Sequence, residues 1–235
     1  VQDLVQHLQS ELHLSYTETH YTNDVLNLDS YRLRLPCEVL THELTGITSQ
    51  DESDQQTADV VDNRYFTLDE LRAYHLSDRY QEGGKAVEII AYHALPGPVG
   101  PQKRIVEHTR TLFFDSTLDQ PLVLGTLNGL GLPYENYKLA LSDDLLNLVY
   151  NDKLTPHVKT VLSDKTISGY LSGDDLRFGD EAGAGQYWIC SGVAGFNADA
   201  AQHFYLPEGY TDPFENTTRL EYDIHDLYLH SSTDA

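Results

Sequence analysis

The sequence contains few of the residue types that build disulfide scaffolds and metal sites. Of its 235 residues none is methionine, one is tryptophan and two are cysteine, at Cys37 and Cys190. A disulfide scaffold needs more cysteines than this, and the wide spacing of these two favours two buried free thiols over a single bridge. Neither belongs to a Cys-x-x-Cys or Cys/His pair with zinc spacing, so no structural zinc is predicted. The absence of methionine at position 1 indicates a piece of a longer polypeptide.

Basic residues are also scarce. Fifteen Lys and Arg stand against 37 Asp and Glu, which gives a formal net charge of −22. Such a surface repels phosphate backbones and anionic lipids, so the charge argues against binding to nucleic acid or to a membrane surface. No apolar run approaches the roughly 20 residues that span a bilayer, and direct membrane insertion is not predicted. A hydrophobic content of 40% nevertheless indicates a folded chain with a sizeable core.

Motifs for nucleophilic catalysis and phosphate binding are missing as well. The sequence has no Gly-x-Ser-x-Gly elbow, no P-loop and no dinucleotide fingerprint. Two histidine pairs, His7/His13 and His225/His230, lack the spacing of a zinc-protease helix. We therefore interpret the histidines as strand-face or surface residues.

An acidic, glycine-rich segment gives the only candidate for a cation site. Asp174, Asp175, Asp180 and Glu181 supply the carboxylate oxygens that Ca²⁺ prefers, but their spacing is not that of an EF-hand and favours a solvated loop. Asn216 begins an Asn-Thr-Thr glycosylation sequon, which we interpret as a turn signal. The sequence therefore predicts no enzyme, and no catalytic, cofactor-binding or metal-binding residue.

Extended segments dominate the chain. Apolar and polar residues alternate with a period of two, which is the pattern of half-buried strands. The predicted strands are residues 8–22, in which Leu12, Leu14 and Tyr16 share a face, and residues 31–44, 87–94, 104–114, 134–141, 186–190, 217–222 and 227–232. Pro36 interrupts the second of these and favours a sheet edge or a bulge there. A mainly β fold follows from this pattern.

Two or three short helices are predicted among the strands. Thr67 and Glu70 have the spacing of a capping box, which predicts a helix over 68–75. Ser142 precedes an apolar segment and predicts the N-cap of a second helix, and residues 156–162 are a third candidate. Residues 51–62 and 173–185 are predicted to be acidic loops, the second of them flexible.

The C-terminal region has the form of a repeat. Residues 212–218 combine a proline, an asparagine and a following strand, which indicates a tight turn leading into an extended segment. Tyr222-Asp223 then precedes a second turn and a second strand. The order of turn, strand, Tyr-Asp, turn and strand predicts one unit of a β-array.

This unit resembles a YD (RHS) repeat, and the wider sequence resembles the B component of the Tc-type insecticidal toxin complexes. The matching words occur in order along nearly the whole chain, in residues 21–24, 35–39 with 43–46, 66–71, 107–112, 132–135 with 137–140, 203–207 with 212–214 and 216–218, and 222–223 with 226–227. A YD repeat alone is a loose signal, whereas these ordered blocks are more specific. The resemblance places residues 1–207 in the region that leads into the shell and residues 208–235 at the start of the RHS repeats.

The resemblance implies a secreted, non-enzymatic role. In such toxins the B component joins a C component to build a hollow β-sheet cocoon, which encloses an unfolded cytotoxic polypeptide until an A component translocates it. The implied fold here is a curved antiparallel sheet that forms part of the cocoon wall. The implied partners are the C component and the enclosed toxic polypeptide, while the A component would dock through regions outside this chain. No catalytic residue of the family is carried over.

One residue departs from the repeat pattern of this family. Glu215 stands where the repeat turn usually has glycine before the asparagine. Because residues other than glycine avoid positive φ, Asn216 is expected to take the left-handed conformation, unless the turn type differs.

Two other classes of protein are compatible with the same pattern. A carbohydrate-processing or carbohydrate-binding β-protein would bring two carboxyl groups to about 5–10 Å across a cleft lined by tyrosines or Trp188. A cell-surface adhesion module built from RHS-type repeats would share the fold but have no cargo.

Overall fold

The computed structural model describes residues 14–47, 68–77, 84–97, 100–179 and 183–234. Within these ranges the chain is mainly β with antiparallel sheets, as predicted. The strands are β1 (Leu14–Tyr21), β2 (Val25–Leu26), β3 (Tyr31–Arg32), β4 (Pro36–Thr45), β5 (Glu88–Ile90), β6 (Gln102–Phe113), β7 (Pro133–Ser142), β8 (Tyr170–Ser172), β9 (Gln186–Cys190), β10 (Val193–Gly195), β11 (Gly209–Thr211), β12 (Thr217–Tyr222) and β13 (Leu229–Asp234). The α-helices are α1 (Leu68–Arg72), α2 (Asp143–Tyr150), α3 (Pro156–Ser163) and α4 (Lys165–Ser168).

These strands form three sheets. The seven-stranded sheet has the order β1-β4-β6-β7-β9-β8, and β5 adds to β6 as a parallel strand. The four-stranded sheet has the order β10-β11-β12-β13, in which each strand is antiparallel to the next. Strands β2 and β3 form a two-stranded ribbon. Sequential neighbours pair throughout the four-stranded sheet, although residues 196–208 separate β10 from β11.

The chain divides into two compact units. The first comprises Val1–Glu18 and Leu40–Val106, and its core contains the buried residues Leu44, Ile47, Tyr74 and Leu76. A buried lysine, Lys103, donates to the Leu76 carbonyl at 2.7 Å. Because a buried ammonium without a partner is costly, this hydrogen bond lets β6 place a basic residue beside an apolar core.

The second unit comprises Thr19–Val39 and Glu107–Ala235 and holds a larger core. The buried residues of this core are Leu112, Tyr137, Leu139, Leu171, Phe178, Trp188 and Cys190. On β7 the side chains alternate as the sequence predicts, since Tyr137 and Leu139 are buried while Lys138 is exposed and bonds to Glu107 at 2.6 Å. Full burial of an apolar side chain such as Leu112 contributes roughly 1.5–3 kcal/mol, so this face dominates the stability of the unit.

Three of the helices lie between β7 and β8, and local capping defines where they begin. The Ser142 side chain accepts from the Leu145 N–H, which confirms the predicted N-cap of α2. Thr155 caps α3, which has Pro156 at its first position. Asp164 caps α4, a fourth helix that the sequence analysis missed. None of the helices among the described residues has the length and apolar character needed to cross a bilayer.

Most predicted strands are confirmed to within two or three residues, and β9 and β12 have the predicted bounds. The segment 31–44 is two strands of different sheets, β3 and β4, and Pro36 begins β4, which lies between β1 and β6 and not at a sheet edge. Two other predictions were too long. The strand over 87–94 is only β5, and the helix over 68–75 ends at Arg72. This helix ends early because Tyr74 instead bridges to Lys85 and buries its ring in the core. Thr67, the predicted cap, and the acidic loop 51–62 lie outside the described residues.

The turn between β11 and β12 corrects the expectation for Asn216. Glu215, and not Asn216, adopts the left-handed conformation, with φ of 68°. Asp212 holds the turn in place, because its carboxylate accepts from the backbone N–H groups of Phe214 and Asn216 and from the Asn216 side chain at 2.8–2.9 Å. Asn216 is therefore occupied as a hydrogen-bond donor to Asp212, and the residue before it takes the strained position.

Candidate functional site

The second unit contains a buried ionic cluster centred on Glu38 of β4. One carboxylate oxygen accepts from His108 Nε2 at 2.7 Å and from Arg110 Nε at 2.8 Å, and the other contacts His20 Nδ1 at 2.8 Å. His20 lies on β1, whereas His108 and Arg110 lie two residues apart on β6 and share a face of that strand. Glu38 therefore links residues of three neighbouring strands.

Arg110 extends this cluster into the aromatic core. Its side chain is only 4% exposed, and its guanidinium carbon lies 4.8 Å from the centre of the Phe178 ring and 4.9 Å from that of Trp188. Trp188 is fully buried and also packs edge-on against His108, with ring centres 4.7 Å apart. A desolvated guanidinium between two ring faces gains cation–π attraction, but it still requires a counter-charge, which Glu38 supplies.

The environment of Glu38 fixes its ionisation state. Burial alone would raise its pKa, but the hydrogen bond from His108 and the charge of Arg110 outweigh burial and lower the pKa from 4.5 to about 2. Glu38 is thus a permanent anion at neutral pH.

A second buried carboxylate, Glu135 of β7, has its own set of partners. Lys165 of α4 bonds to one oxygen at 2.7 Å, and the Tyr137 hydroxyl donates to the other at 2.6 Å. Arg177 contacts Glu135 at 3.7 Å, donates to the Tyr137 hydroxyl at 3.3 Å and pairs with Asp175 at 2.7 Å. Burial, followed by the nearby Glu135 charge, raises the pKa of Tyr137 well above its ordinary value, so the phenol stays protonated.

Neither carboxylate is set up for acid–base catalysis. A glycosidase acid needs a raised pKa and contact with the substrate. Glu38 has a lowered pKa, and Glu135 is 0% exposed and bonded to a lysine. Trp188, which the sequence offered as a cleft residue, is inaccessible. These two clusters join strands, helices and core.

A groove lies beside the helices of the second unit. It has a volume of about 800 Å³, and the residues that line it include Asp143, Lys159, Asp164, Lys165 and Tyr187. These charged side chains already bond to other groups of the chain. Asp143 pairs with Lys159 at 2.9 Å, Asp164 caps α4 and Lys165 bonds to Glu135. The Tyr187 ring is buried and offers no stacking surface to a sugar.

The candidate residues of the sequence analysis are not brought together. Asp174 accepts from Ser172, and Asp175 pairs with Arg177, while the other two members of the acidic segment lie outside the described residues. The predicted loop over 173–185 supplies Phe178 to the core, which alternation could not reveal because Phe178 lies in a 3-10 turn. In the described part of the chain no three His, Cys, Asp or Glu side chains are grouped to hold a metal.

The remaining candidates also have separate surroundings. His225 and His230 are exposed near the last hairpin, and His7 and His13 lie outside the described residues. Cys37 and Cys190 are buried free thiols, as predicted. Burial raises the pKa of Cys37, and burial together with the Glu135 charge raises that of Cys190 to about 11.

Three half-buried aspartates head turns of the same kind, which the sequence analysis recognised only at the C-terminal end. In each turn an aspartate oxygen accepts the N–H of the residue four positions later. The pairs are Asp115 with Asp119, Asp212 with Asn216, and Asp223 with Leu227. The residue three positions after the aspartate has positive φ, namely Leu118 (62°), Glu215 (68°) and Asp226 (56°).

These turns explain what the aspartate of the Tyr-Asp pair does. Asp223 accepts from Leu227 and Tyr228 and so closes the β12–β13 hairpin, while the Tyr222 hydroxyl donates to the Pro207 carbonyl at 3.1 Å. The backbone hydrogen bond from Leu227 lowers the pKa of Asp223, and the Asn216 side chain lowers that of Asp212. Both groups favour the ionised form that the turn needs.

Comparison with known proteins defines the fold. No protein-family model and no curated protein matches the chain. Among solved structures, it is similar to chains of a toxin complex with a mainly β, antiparallel fold. In the crystal structure of TcdB2-TccC3-Cdc42 the match covers 94% of this chain, with a TM-score of 0.50 and 16% identity. In that of TcdB2-TccC3-TEV it covers 99%, with the same TM-score and identity.

This similarity shows the fold of the chain and how much of the chain shares it. Nearly all of this chain aligns, but it spans only about a tenth of the length of each of those chains, since 10% of each is covered. The chain thus has the fold of one stretch of a much longer toxin-complex polypeptide.

Proposed function

We propose that this chain is a structural, non-enzymatic segment of the B component of a Tc-type toxin complex. In this proposal its sheets form part of a curved wall that encloses a cytotoxic polypeptide, in a secreted complex with a C component. The observation that carries the proposal is the shared fold, which extends over 94–99% of the chain in the TcdB2-TccC3 structures.

The chemistry of the second unit supports a role in architecture. The carboxylates of Glu38 and Glu135 are neutralised by arginine, lysine, histidine and tyrosine, and each bonds to residues of other strands or helices. A wall must keep its strands in register while both of its faces meet polar surroundings. Ionic links among three strands, such as those at Glu38, serve that purpose because breaking one leaves a buried charge unpaired.

The four-stranded sheet supports the second part of the proposal. Its turns recur with an aspartate at the head, and Asp223 of the Tyr-Asp pair closes the last hairpin. Strand β13 ends the order of that sheet, and five of its six residues are exposed. An edge of this kind is suited to pairing with a further strand of the same array, which is how a wall of repeats is extended.

The test is coexpression of the longer polypeptide that contains this chain with a C component that carries its toxic domain. We expect the two to copurify, with the toxic domain resistant to added protease until the complex is denatured. Leu220→Pro, in the centre of β12, removes a ladder hydrogen bond and should make the cargo sensitive to protease. A matched Ser116→Pro change, at an exposed position after Asp115 in the turn that follows β6, tests whether any proline has the same effect.

Other outcomes would reject the proposal. A toxic domain that is cleaved at the same rate with and without the B component would show that nothing is enclosed. Saturable binding of a glycan by the chain alone would favour a carbohydrate-binding protein.

A further inference from the structure

The β12–β13 turn and the 3-10 turn before β11 together present an exposed apolar surface. Phe204 is 74% exposed, Ile224 93%, Leu227 68% and Tyr228 73%. A hydrogen bond of 2.8 Å between His203 Nδ1 and Asp226 Oδ2 holds the two turns against each other. We call these four residues the hairpin patch. Single exposed apolar residues are common on proteins, but four on two adjoining turns mark a contact surface.

A small cavity of about 250 Å³ lies beside the hairpin patch. Its apolar lining comes from Leu206, Leu220 and Tyr222 and its acidic lining from Glu208 and Glu221, while Asp226, which also lines it, is paired with His203. The two kinds of lining match the two parts of a lysine or arginine side chain, whose aliphatic stem packs on apolar surface while its cation meets carboxylates.

The segment of the chain that supplies the cavity is strongly acidic. Between residues 196 and 228 the only basic residue, counting Lys and Arg, is Arg219. The acidic residues of this segment are Asp199, Glu208, Asp212, Glu215, Glu221, Asp223 and Asp226. Seven acidic residues against one basic residue give the segment a formal charge of −6. An acidic partner would be repelled, and a purely apolar one would desolvate carboxylates without pairing them.

We propose that the hairpin patch and the adjoining cavity bind a polypeptide segment that is both apolar and basic, with one lysine or arginine side chain in the cavity. Its apolar side chains cover Phe204, Ile224 and Leu227. This inference goes beyond the role in a wall and does not depend on it, since the surface binds such a segment whether or not the chain encloses a cargo.

The test uses the 235-residue chain and two labelled peptides of about ten residues, one of alternating leucine and lysine and one of alternating leucine and glutamate. Binding is measured by fluorescence anisotropy. The leucine–lysine peptide should bind saturably, and the leucine–glutamate peptide should not. Affinity should fall about tenfold between roughly 50 and 500 mM NaCl, because added salt screens the charge pairs.

Two pairs of double variants locate the site. Glu208→Gln with Glu221→Gln should weaken binding about tenfold, whereas Asp144→Asn with Asp152→Asn makes the same change in net charge elsewhere and should have less than about a twofold effect. The Ser231 hydroxyl donates to Glu221 at 2.8 Å, and a glutamine side chain at that position can still accept this hydrogen bond, so the hairpin is expected to fold. Far-UV circular dichroism checks this for each variant.

The apolar contribution has its own control. Ile224→Ser with Leu227→Ser should weaken binding about tenfold, while Val149→Ser with Ile167→Ser, both 61% exposed on the helices, should leave it within about twofold. If the first of these variants does not fold, Phe204→Ser replaces it.

Equal losses in the Glu208/Glu221 and Asp144/Asp152 variants would mean general charge attraction and would overturn the proposal. Equal binding of the two peptides, or occupation of the patch by a second copy of the chain in sedimentation velocity, would overturn it as well.

Discussion

Replacement of Glu38 by glutamine tests whether the buried ionic cluster holds the second unit together. The glutamine keeps the shape of the side chain and can still accept a hydrogen bond, but it removes the negative charge. Arg110, which is 4% exposed between Phe178 and Trp188, then loses its charged hydrogen bond to Glu38. We expect a large loss of stability, because a neutral amide replaces the charged partner of a buried arginine and a buried histidine.

The pKa of Glu38 gives the magnitude. A decrease from 4.5 to about 2 means that the folded state prefers the carboxylate over the acid by about 3 kcal/mol, at about 1.4 kcal/mol per pKa unit. The measured cost of breaking other buried ion pairs, about 3–5 kcal/mol, agrees with this value. Because the Glu38 side chain is only 12% exposed, solvent screening reduces this free energy only in part.

The assay is urea denaturation at pH 7 followed by the fluorescence of Trp188, which is the only tryptophan and lies 4.9 Å from Arg110. The matched control is Glu107→Gln, which removes an exposed partner of Lys138 and should cost less than about 1 kcal/mol. A loss below about 1 kcal/mol for Glu38→Gln, or equal losses for the two variants, would refute the reasoning.

The dependence of this effect on pH has a definite sign. The folded-state pKa of Glu38 is lowered, so its stabilisation is complete above about pH 4.5 and is lost as the pH falls towards 2. The difference in unfolding free energy between wild type and Glu38→Gln should therefore shrink over that interval. A difference that does not change between about pH 7 and pH 3 would contradict the assignment.

Three further predictions concern local features. Glu215→Gly should stabilise the β11–β12 hairpin by about 1 kcal/mol, because glycine adopts positive φ without strain. Amide hydrogen exchange of the hairpin measures this gain in stability. Cys37 and Cys190 should not react with a thiol reagent at about pH 8 in the folded chain, whereas two thiols per chain should titrate in urea. The carboxyl groups of Asp212 and Asp223 should titrate below 3.8 in NMR experiments, and the stability that they confer should be lost as the pH falls through those midpoints.

Each of these predictions has a result that would contradict it. If amide exchange in the β11–β12 hairpin slowed in Glu215→Ala but not in Glu215→Gly, relief of backbone strain would not be the cause. Rapid labelling of a thiol in the folded chain would place it at the surface. Carboxyl midpoints at or above 3.8 would mean that the turn hydrogen bonds do not require the ionised aspartates.

Local patterns predicted much of the secondary structure. Alternation identified β9 and β12 with their observed bounds, and Ser142 marked the beginning of α2, because a side chain that caps a helix acts within three residues of itself. The sequence predicted the position of the β11–β12 turn correctly, but it did not predict that Glu215 takes the left-handed conformation. A sequence shows that glycine is missing, whereas three hydrogen bonds to Asp212 decide which neighbour takes the strain.

The sequence by itself determined the mainly β character, the acidic charge and the positions of most strands, since these depend on short-range periodicity and composition. Only the tertiary structure decided that Glu38 would meet His108 and Arg110, which lie 70 and 72 positions further along the chain. The same holds for the burial of Arg110 against Phe178, a residue from a segment with the composition of a loop. A charge can be buried only where folding brings its partners to it, and no local pattern records which distant strand will do so.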